Sequence, residues 1–238
     1  MKKRRPAATT TLLAAALVLS ACGTTPAKSE TGADQLMTPT FGAQQENVRA
    51  GVVHRDDVQL SLVGPETRVG DMAPNATLRD KALERVDIDF KDGKTRVVLF
   101  VPSLDTPTCS IQARKFNSKA SRLADDVEVL IISRDLPYAQ ARFCGANGLK
   151  RVITYSDYAS GDFGKAWGYY VKETDLLARV VAIVDGKGAV RYLEVVANIP
   201  DQPNYISAME ALKALVPESV KEAPAPAEGA EAPAEDSP

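Results

Sequence analysis

Short apolar runs and amphipathic segments alternate along the chain between residues 46 and 216. Short runs of β-branched and aromatic residues indicate strands. They cover 48–54, 58–63, 86–90, 96–101, 127–133, 152–155, 178–184 and 189–196. Apolar positions at helical spacing predict helices at 109–123, 137–146, 163–169 and 204–215. This order predicts an α/β sandwich with a mixed central sheet and an N-terminal β-hairpin.

The two ends of the chain differ from this central part. Lys and Arg at 2–5 precede an apolar run at 11–20 that ends in Leu-Ser-Ala-Cys22. This pattern predicts a lipoprotein signal peptide at 1–21, with lipidation of Cys22 and export to the cell envelope, on the extracytoplasmic side of the membrane. The alternative is a soluble secreted protein in which Cys22 is incidental. A flexible tether is predicted at 22–45, one domain at 46–216 and a disordered acidic Ala/Pro tail at 217–238.

Charge and composition limit the possible functions of the domain. The net charge is −2, and no basic stripe with interleaved aromatic residues occurs, which argues against nucleic-acid binding. The three cysteines form no CxxC pair and no Cys/His cluster, so no metal site is predicted. His54 is the only imidazole that a Cys-His acyl transferase could use. We interpret it as an ordinary polar residue on an early strand.

Cys109 follows a buried strand and a proline-containing loop, and stands where a helix is predicted to begin. Free N–H groups and the positive end of a helix dipole favour a thiolate at such a position. Cys109 is therefore a candidate nucleophile. If the loop turns into the helix, Thr106 can direct its hydroxyl towards the sulfur, and Pro102 can shield the sulfur from water.

A guanidinium near the sulfur would stabilise a thiolate and donate to a bound peroxide. Both Arg114 and Arg179 could supply it. Arg179 stands at the predicted start of a core strand, which is an unusual place for a charge. An ordinary solvated arginine explains the position equally well, and the spacing leaves the choice open.

Cys144 is the second thiol of the domain and follows Cys109 by 35 residues. A peroxide would convert Cys109 to a sulfenic acid, and Cys144 could attack that group to form a disulfide. A permanent structural bridge and a buried, inert thiol are the alternatives. The position of Cys109 argues against inertness, whereas a static bridge remains open.

The pattern Pro102-x-x-x-Thr106-x-x-Cys109 resembles the active-site motif of peroxiredoxins. The similarity extends to Ser-Leu-Asp at 103–105, Arg-Lys-Phe-Asn at 114–117, Asp-Leu-Pro-Tyr-Ala-Gln-Ala-Arg-Phe-Cys-Gly at 135–145, Leu-Leu-Ala-Arg at 176–179 and Asp-Gln-Pro-Asn-Tyr at 201–205. Together these segments resemble the bacterial thiol peroxidases, which are atypical two-cysteine peroxiredoxins, over nearly the whole domain.

This resemblance implies a thioredoxin-like fold and a thiol-dependent reduction of hydrogen peroxide and organic hydroperoxides without a metal, haem or other cofactor. It implies that Cys109 is the peroxidatic residue, Cys144 the resolving residue, and Cys109–Cys144 the disulfide formed within one subunit. Thr106 and Arg179 bind and polarise the peroxide, and Pro102 shields the sulfur. The resemblance also implies a homodimer, thioredoxin as reductant, and partial unravelling of the helices to join the two thiols.

The signal peptide, tether and acidic tail depart from the usual form of this subfamily. Cytoplasmic thioredoxin could not reach an exported domain, so we expect a thioredoxin-like reductant in the same compartment. Two other functions compete: a non-enzymatic lipoprotein interaction module with a static Cys109–Cys144 bridge, and a thiol–disulfide oxidoreductase. The missing CxxC argues against the oxidoreductase.

Overall fold

The computed structural model describes residues 47–219, and the architecture below concerns that part of the chain. The signal peptide, the lipidation of Cys22, the tether and the tail beyond Ser219 lie outside the described residues, so they stay predictions. Within the described part, none of the helices has the length and apolar character needed to cross a membrane.

Eleven strands and four α-helices form within residues 47–219. The strands are β1 (Val48–Arg55), β2 (Val58–Val63), β3 (Leu78–Arg79), β4 (Arg85–Val86), β5 (Thr95–Phe100), β6 (Val127–Ser133), β7 (Ile153–Ser156), β8 (Tyr170–Val171), β9 (Leu176–Leu177), β10 (Val180–Val184) and β11 (Val190–Val195). The helices are α1 (Pro107–Ala120), α2 (Pro137–Ala146), α3 (Asp162–Trp167) and α4 (Tyr205–Leu215).

The central sheet has the strand order β11-β10-β5-β6-β7-β3-β4. Strands β5, β6 and β7 run parallel, whereas β10 pairs antiparallel with both β5 and β11. The predicted mixed sheet is therefore confirmed. Every residue of β5 is buried, as expected for a central strand covered on both faces. This strand leads directly into the loop that carries Pro102 and Thr106.

The predicted N-terminal hairpin is also confirmed. Strands β1 and β2 pair antiparallel and continue into a second sheet with the order β1-β2-β8-β9. The register shifts between Ala50 and Val53, and Gly51 lies in this bulge with φ +75°. Glycine adopts that conformation without the steric penalty of a side chain, so the bulge forms there.

Two apolar clusters cover the two faces of the central sheet. One joins the hairpin sheet and α3, with Trp167 packed against Phe100 at 5.2 Å between ring centroids. The other joins α1 and α4 and contains Phe116, Leu212 and Cys109. Cys144 packs against the edge of this second cluster. Both thiols of the domain therefore lie on the same side of the sheet.

Helix α1 begins two residues before Cys109 and ends at Ala120, not at Leu123 as predicted. Pro107 occupies the first turn, where its fixed φ suits a helix and its missing N–H costs no hydrogen bond. Cys109 is thus the third helical residue, and its sulfur lies beside the first turn. The prediction of α2 at 137–146 is confirmed, and Gly148 follows the helix end with φ +62°.

Two predicted strands extend two or more residues beyond the observed strands at one end. In the segment 86–90 only Val86 pairs, although Ile88 and Phe90 are buried, because their alternation reflects packing and not a strand ladder. The strand predicted at 178–184 begins at Val180. Arg179 lies in the two-residue break between β9 and β10, where the chain passes from the hairpin sheet to the central sheet.

The described part of the chain continues past the predicted domain boundary at Val216. Residues Pro217–Ser219 form a short 3₁₀ helix. The Ser219 carbonyl accepts from the Ala124 N–H at 2.9 Å, and the Ser219 hydroxyl donates to Asp126 at 2.7 Å. These bonds attach residues 217–219, the first three of the predicted tail, to the connection between α1 and β6.

Candidate active site

Cys109 lies in the first turn of α1 and is fully buried. Its Sγ is 3.4 Å from Nη2 of Arg179. Thr106 is the N-cap residue but makes no side-chain cap, so it does not occupy the N–H groups of the first turn. A negative charge on the sulfur would thus meet a guanidinium and the positive end of the helix together. The site is built to hold a thiolate.

Arg179 is held on two further sides. Its Nη1 donates to Oε1 of Gln112 at 2.5 Å, and its Nε donates to the carbonyl of Ile199 at 3.0 Å. Both Arg179 and Gln112 are buried, and within residues 47–219 no carboxylate pairs with Arg179. A buried cation without a counter-ion is costly, and a Cys109 thiolate would supply the missing negative charge.

A pocket of about 250 Å³ opens beside the buried sulfur. Pro102, Thr106 and Arg179 contribute to its wall, together with apolar side chains such as Leu177 and Ile199. Cys109 does not itself line the pocket, so a ligand entering it meets Thr106 and Arg179 before the sulfur. Pro102 lines this pocket, and its shielding of the sulfur stays a prediction.

The sequence suggested that the Thr106 hydroxyl is directed at the sulfur, but in the structure its hydrogen points elsewhere. It donates to the carbonyl of Ser103 at 2.9 Å, because the loop turns tightly before α1. This bond commits the hydroxyl hydrogen and leaves the oxygen lone pairs as acceptors. Thr106 can therefore accept a hydrogen bond from a ligand in the pocket.

Cys144 lies in the last turn of α2 and is half-buried. Burial raises the pKa of its thiol, and a hydrogen bond with Thr154 opposes this in part. Cys144 and Cys109 are both free thiols in this structure. The structure thus describes the reduced form. In this form the sulfur of Cys109 contacts Arg179 and the sulfur of Cys144 is hydrogen-bonded with Thr154.

The two other sequence candidates lie elsewhere. Arg114 is exposed, and its Nη1 donates to Ser110 at 2.5 Å and to Asn147 at 3.1 Å, so Arg179 and not Arg114 contacts the sulfur. The ring of His54 contacts the carbonyl of Asp56 at 2.8 Å, as an ordinary polar residue on β1 would. Among the described residues, no cluster of three or more His, Cys, Asp or Glu could hold a metal ion.

Two glutamines support the site and were not recognised from the sequence. Gln112 positions Arg179, and Gln202 donates from Nε2 to the carbonyl of Thr108 at 3.0 Å. The hydroxyl of Tyr205 donates to Gln202 in turn, and burial raises the pKa of Tyr205 to about 12, which keeps this donor protonated. The spacing of Gln112, three residues after Cys109 on the same helix face, was a usable signal.

Comparison with known proteins agrees with this geometry. The Redoxin family matches residues 68–209. The chain is 50% identical over 154 residues to a thiol peroxidase from Listeria innocua, covering 65% of this chain and 93% of that protein. It is 46% identical over 157 residues to a thiol peroxidase from Bacillus subtilis, covering 66% and 93%. A crystal structure of a peroxiredoxin-like protein from Aquifex aeolicus superposes with a TM-score of 0.66 at 35% identity, covering 70% of this chain and 98% of that one.

The chain therefore belongs to the redoxin family and, within that family, to the bacterial thiol peroxidases. The thioredoxin-like fold expected from the resemblance is confirmed by the same comparisons.

Proposed function

We propose that this chain is a thiol peroxidase in which Cys109 reduces a hydroperoxide and Cys144 resolves the product. Its membership of the thiol peroxidases establishes thiol-dependent peroxide reduction as the activity, and does not favour an interaction module or a general thiol–disulfide oxidoreductase. The observation that carries the assignment of residues is the 3.4 Å contact between Cys109 Sγ and the buried Arg179 guanidinium.

In the first step, the Cys109 thiolate attacks the terminal oxygen of the hydroperoxide. A sulfur–oxygen bond forms while the oxygen–oxygen bond breaks, so the sulfur becomes a sulfenic acid. The other oxygen leaves with the electron pair and takes a proton from water to become an alcohol or, from hydrogen peroxide, water. Arg179 lies beside the sulfur, where it can stabilise the developing charge, and Thr106 can accept the hydrogen of the hydroperoxide.

In the second step, the Cys144 thiol attacks the sulfur of the sulfenic acid. A disulfide forms and the hydroxyl leaves as water with the proton of the thiol. In this structure the sulfur of Cys109 contacts Arg179 and that of Cys144 contacts Thr154, so each sulfur must leave its partner before the disulfide forms. In the third step, a dithiol of the thioredoxin type reduces the disulfide by thiol–disulfide exchange and is itself oxidised.

Peroxide consumption by the reduced protein with a dithiol donor tests this assignment. The Cys109→Ser variant should show only the uncatalysed rate, because it lacks the thiol that becomes the sulfenic acid. The Cys144→Ser variant is the matched control, and without the donor its reduced form should still consume one equivalent of peroxide in a single turnover. Full turnover by Cys109→Ser would contradict the role of Cys109.

We further propose that the enzyme is an exported lipoprotein anchored through Cys22, works with a thioredoxin-like reductant outside the cytoplasm and forms a homodimer. The signal-like residues 2–22 support the anchor, and the family resemblance supports the dimer. Cell fractionation should recover the wild-type protein with the membranes. The Cys22→Ala variant should carry no lipid. Sedimentation of the domain should give twice the mass of one chain.

A further inference from the structure

Asp135 lies between β6 and α2 and reaches across to the loop that precedes Cys109. Its Oδ1 accepts from the Ser103 hydroxyl at 2.7 Å, and its Oδ2 accepts from the Leu104 N–H at 2.8 Å. The Ser133 hydroxyl also donates to Oδ2 at 2.8 Å. One carboxylate therefore holds two consecutive residues of the loop that forms the wall of the active site.

The same group of hydrogen bonds continues into the helix that carries Cys144. The buried Gln140 in α2 donates from Nε2 to the Ser133 hydroxyl at 2.8 Å and to the carbonyl of Tyr155 at 2.9 Å. Because the Ser133 oxygen accepts from Gln140, its own hydrogen is directed at Asp135. Gln140 precedes Cys144 by four residues, which is about one helical turn.

A continuous chain of hydrogen bonds thus connects the two cysteine-bearing segments. It passes from Ser103 through Asp135 and Ser133 to Gln140, and it avoids both reacting sulfurs. A disulfide between them requires each sulfur to leave its present partner, Arg179 or Thr154. A displacement of α2 near Cys144 would remove the Gln140 donor, and the Ser133 hydroxyl would then lose the constraint that directs it at Asp135.

We propose that Asp135 is a positioning residue that couples the two halves of the catalytic cycle. While α2 is folded, Asp135 holds the 103–104 loop in the conformation that binds peroxide. When α2 unwinds to deliver Cys144, the hydrogen bonds through Ser133 and Gln140 break and the loop is released as well. This series of hydrogen bonds therefore favours fast attack on peroxide and opposes early formation of the disulfide. This inference rests on the proposed roles of Cys109 and Cys144.

The two steps can be measured separately in a stopped-flow experiment. Trp167, the only tryptophan, packs against Phe100 at the end of β5 and serves as a fluorescent probe, while rapid alkylation and mass measurement separate sulfenic acid from disulfide. In Asp135→Ala the rate constant for peroxide should fall at least about tenfold, because charge-assisted bonds to the loop are lost. The rate constant for disulfide formation should rise, because the folded arrangement is less stable.

Opposite changes in the two rate constants distinguish coupling from general damage to the fold. Asp105→Ala is the matched control: Asp105 is exposed on the same loop, its carboxylate makes no hydrogen bond to the described residues, and neither step should change. Asp135→Asn should recover most of the peroxide rate, because its carbonyl oxygen can still accept from the Leu104 N–H. Equal slowing of both steps in Asp135→Ala would overturn the proposal.

Gln140→Met tests the hydrogen-bond network from its other end and leaves the direct bonds between Asp135 and the active-site loop in place. The buried Oε1 of Gln140 has no hydrogen-bond partner, so the substitution removes only the donor contacts. Disulfide formation should accelerate, and the peroxide rate should fall as in Asp135→Ala but by a smaller factor, because the loop keeps its direct bonds to Asp135. Combined with Asp135→Ala, it should add little further acceleration of disulfide formation, because both substitutions interrupt the same hydrogen-bond network.

The outcomes separate this proposal from the proposed function. If the wild-type protein forms no sulfenic acid at Cys109 or no disulfide with Cys144, the proposed roles of the two cysteines fail. If the wild type completes both steps and Gln140→Met forms the disulfide at the wild-type rate, only the coupling fails. Independent, additive effects of Asp135→Ala and Gln140→Met would also overturn it.

Discussion

The surroundings of the two cysteines differ in the way that their proposed roles require. Cys109 is fully buried in the first turn of α1, beside a guanidinium that two other groups hold in place. Cys144 is half-buried in the last turn of α2, and burial raises the pKa of its thiol. The first site places a guanidinium against the sulfur, whereas at the second site burial disfavours the charged form of the thiol.

This comparison explains how one chain can use two thiols in sequence. Free thiolates near a sulfenic acid react without control, and reactivity follows thiolate character and access. In the proposed cycle, a protonated, helix-bound Cys144 would stay slow while Cys109 reacts with peroxide. Local unfolding of α2 would then expose Cys144 to solvent and remove the desolvation that raises its pKa. The order of events follows from two different electrostatic environments.

Removal of the second thiol should have the largest effect on steady-state turnover. Cys144→Ser should lose all activity coupled to a thioredoxin-type donor, because no disulfide can form for that donor to reduce. A small dithiol such as dithiothreitol should still support turnover by attacking the sulfenic acid directly. Coupled assays with each donor measure this difference. Undiminished turnover with the thioredoxin-type donor would mean that another group resolves Cys109.

Removal of the guanidinium should have the next largest effect. In Arg179→Ala the second-order rate constant for peroxide should fall about 10²- to 10³-fold, as is typical when one preorganised charge-stabilising donor is lost. Arg179→Lys should recover only part of the loss, because an ammonium cannot contact the sulfur, Gln112 and Ile199 together. Arg114→Ala is the control and should react like wild type. A similar fall in the rate constant of Arg114→Ala would contradict the assignment of Arg179 as the guanidinium that stabilises the reacting sulfur.

The smallest expected effect concerns the titration of Cys144. In a Cys109→Ser background, the rate of alkylation by iodoacetamide can be measured as a function of pH. The pH at half-maximal rate should lie above about 8.5, the ordinary pKa of a thiol, because burial raises the pKa of Cys144 and only the thiolate reacts. Thr154→Val should move the midpoint further upward, since the hydrogen bond with Thr154 lowers this pKa. A midpoint below that of a free thiol would contradict the contrast between the two cysteines.

Individual elements show why some features were predictable and others were not. The helix at 137–146 was predicted correctly because Pro137 marks its first turn and Gly148 follows its end. The segment 86–90 alternated like a strand, but most of it finds no partner strand. Alternation reports which side chains are buried, whereas strand formation also needs a neighbouring chain with free backbone groups.

The choice between Arg114 and Arg179 illustrates the same limit within the site. Arg114 is only five residues from Cys109, but this spacing on α1 directs it to Ser110 and Asn147. Arg179 is separated by 70 residues, and the antiparallel pairing of β10 with β5 brings it to the sulfur. Such contacts depend on how the strands pair in the sheet, which cannot be read from the spacing of residues along the sequence.

Local sequence patterns were enough to predict the alternation of strands and helices, the position of Cys109 in a first helical turn and the presence of a second thiol in the domain. These follow from local propensities and periodicity, which act over a few residues. The folded structure was needed to show which arginine contacts the sulfur, that Thr106 bonds to Ser103, and that Asp135 links the two cysteine-bearing segments. These depend on contacts between distant parts of the chain, which form when the sheet assembles and its buried polar groups find partners.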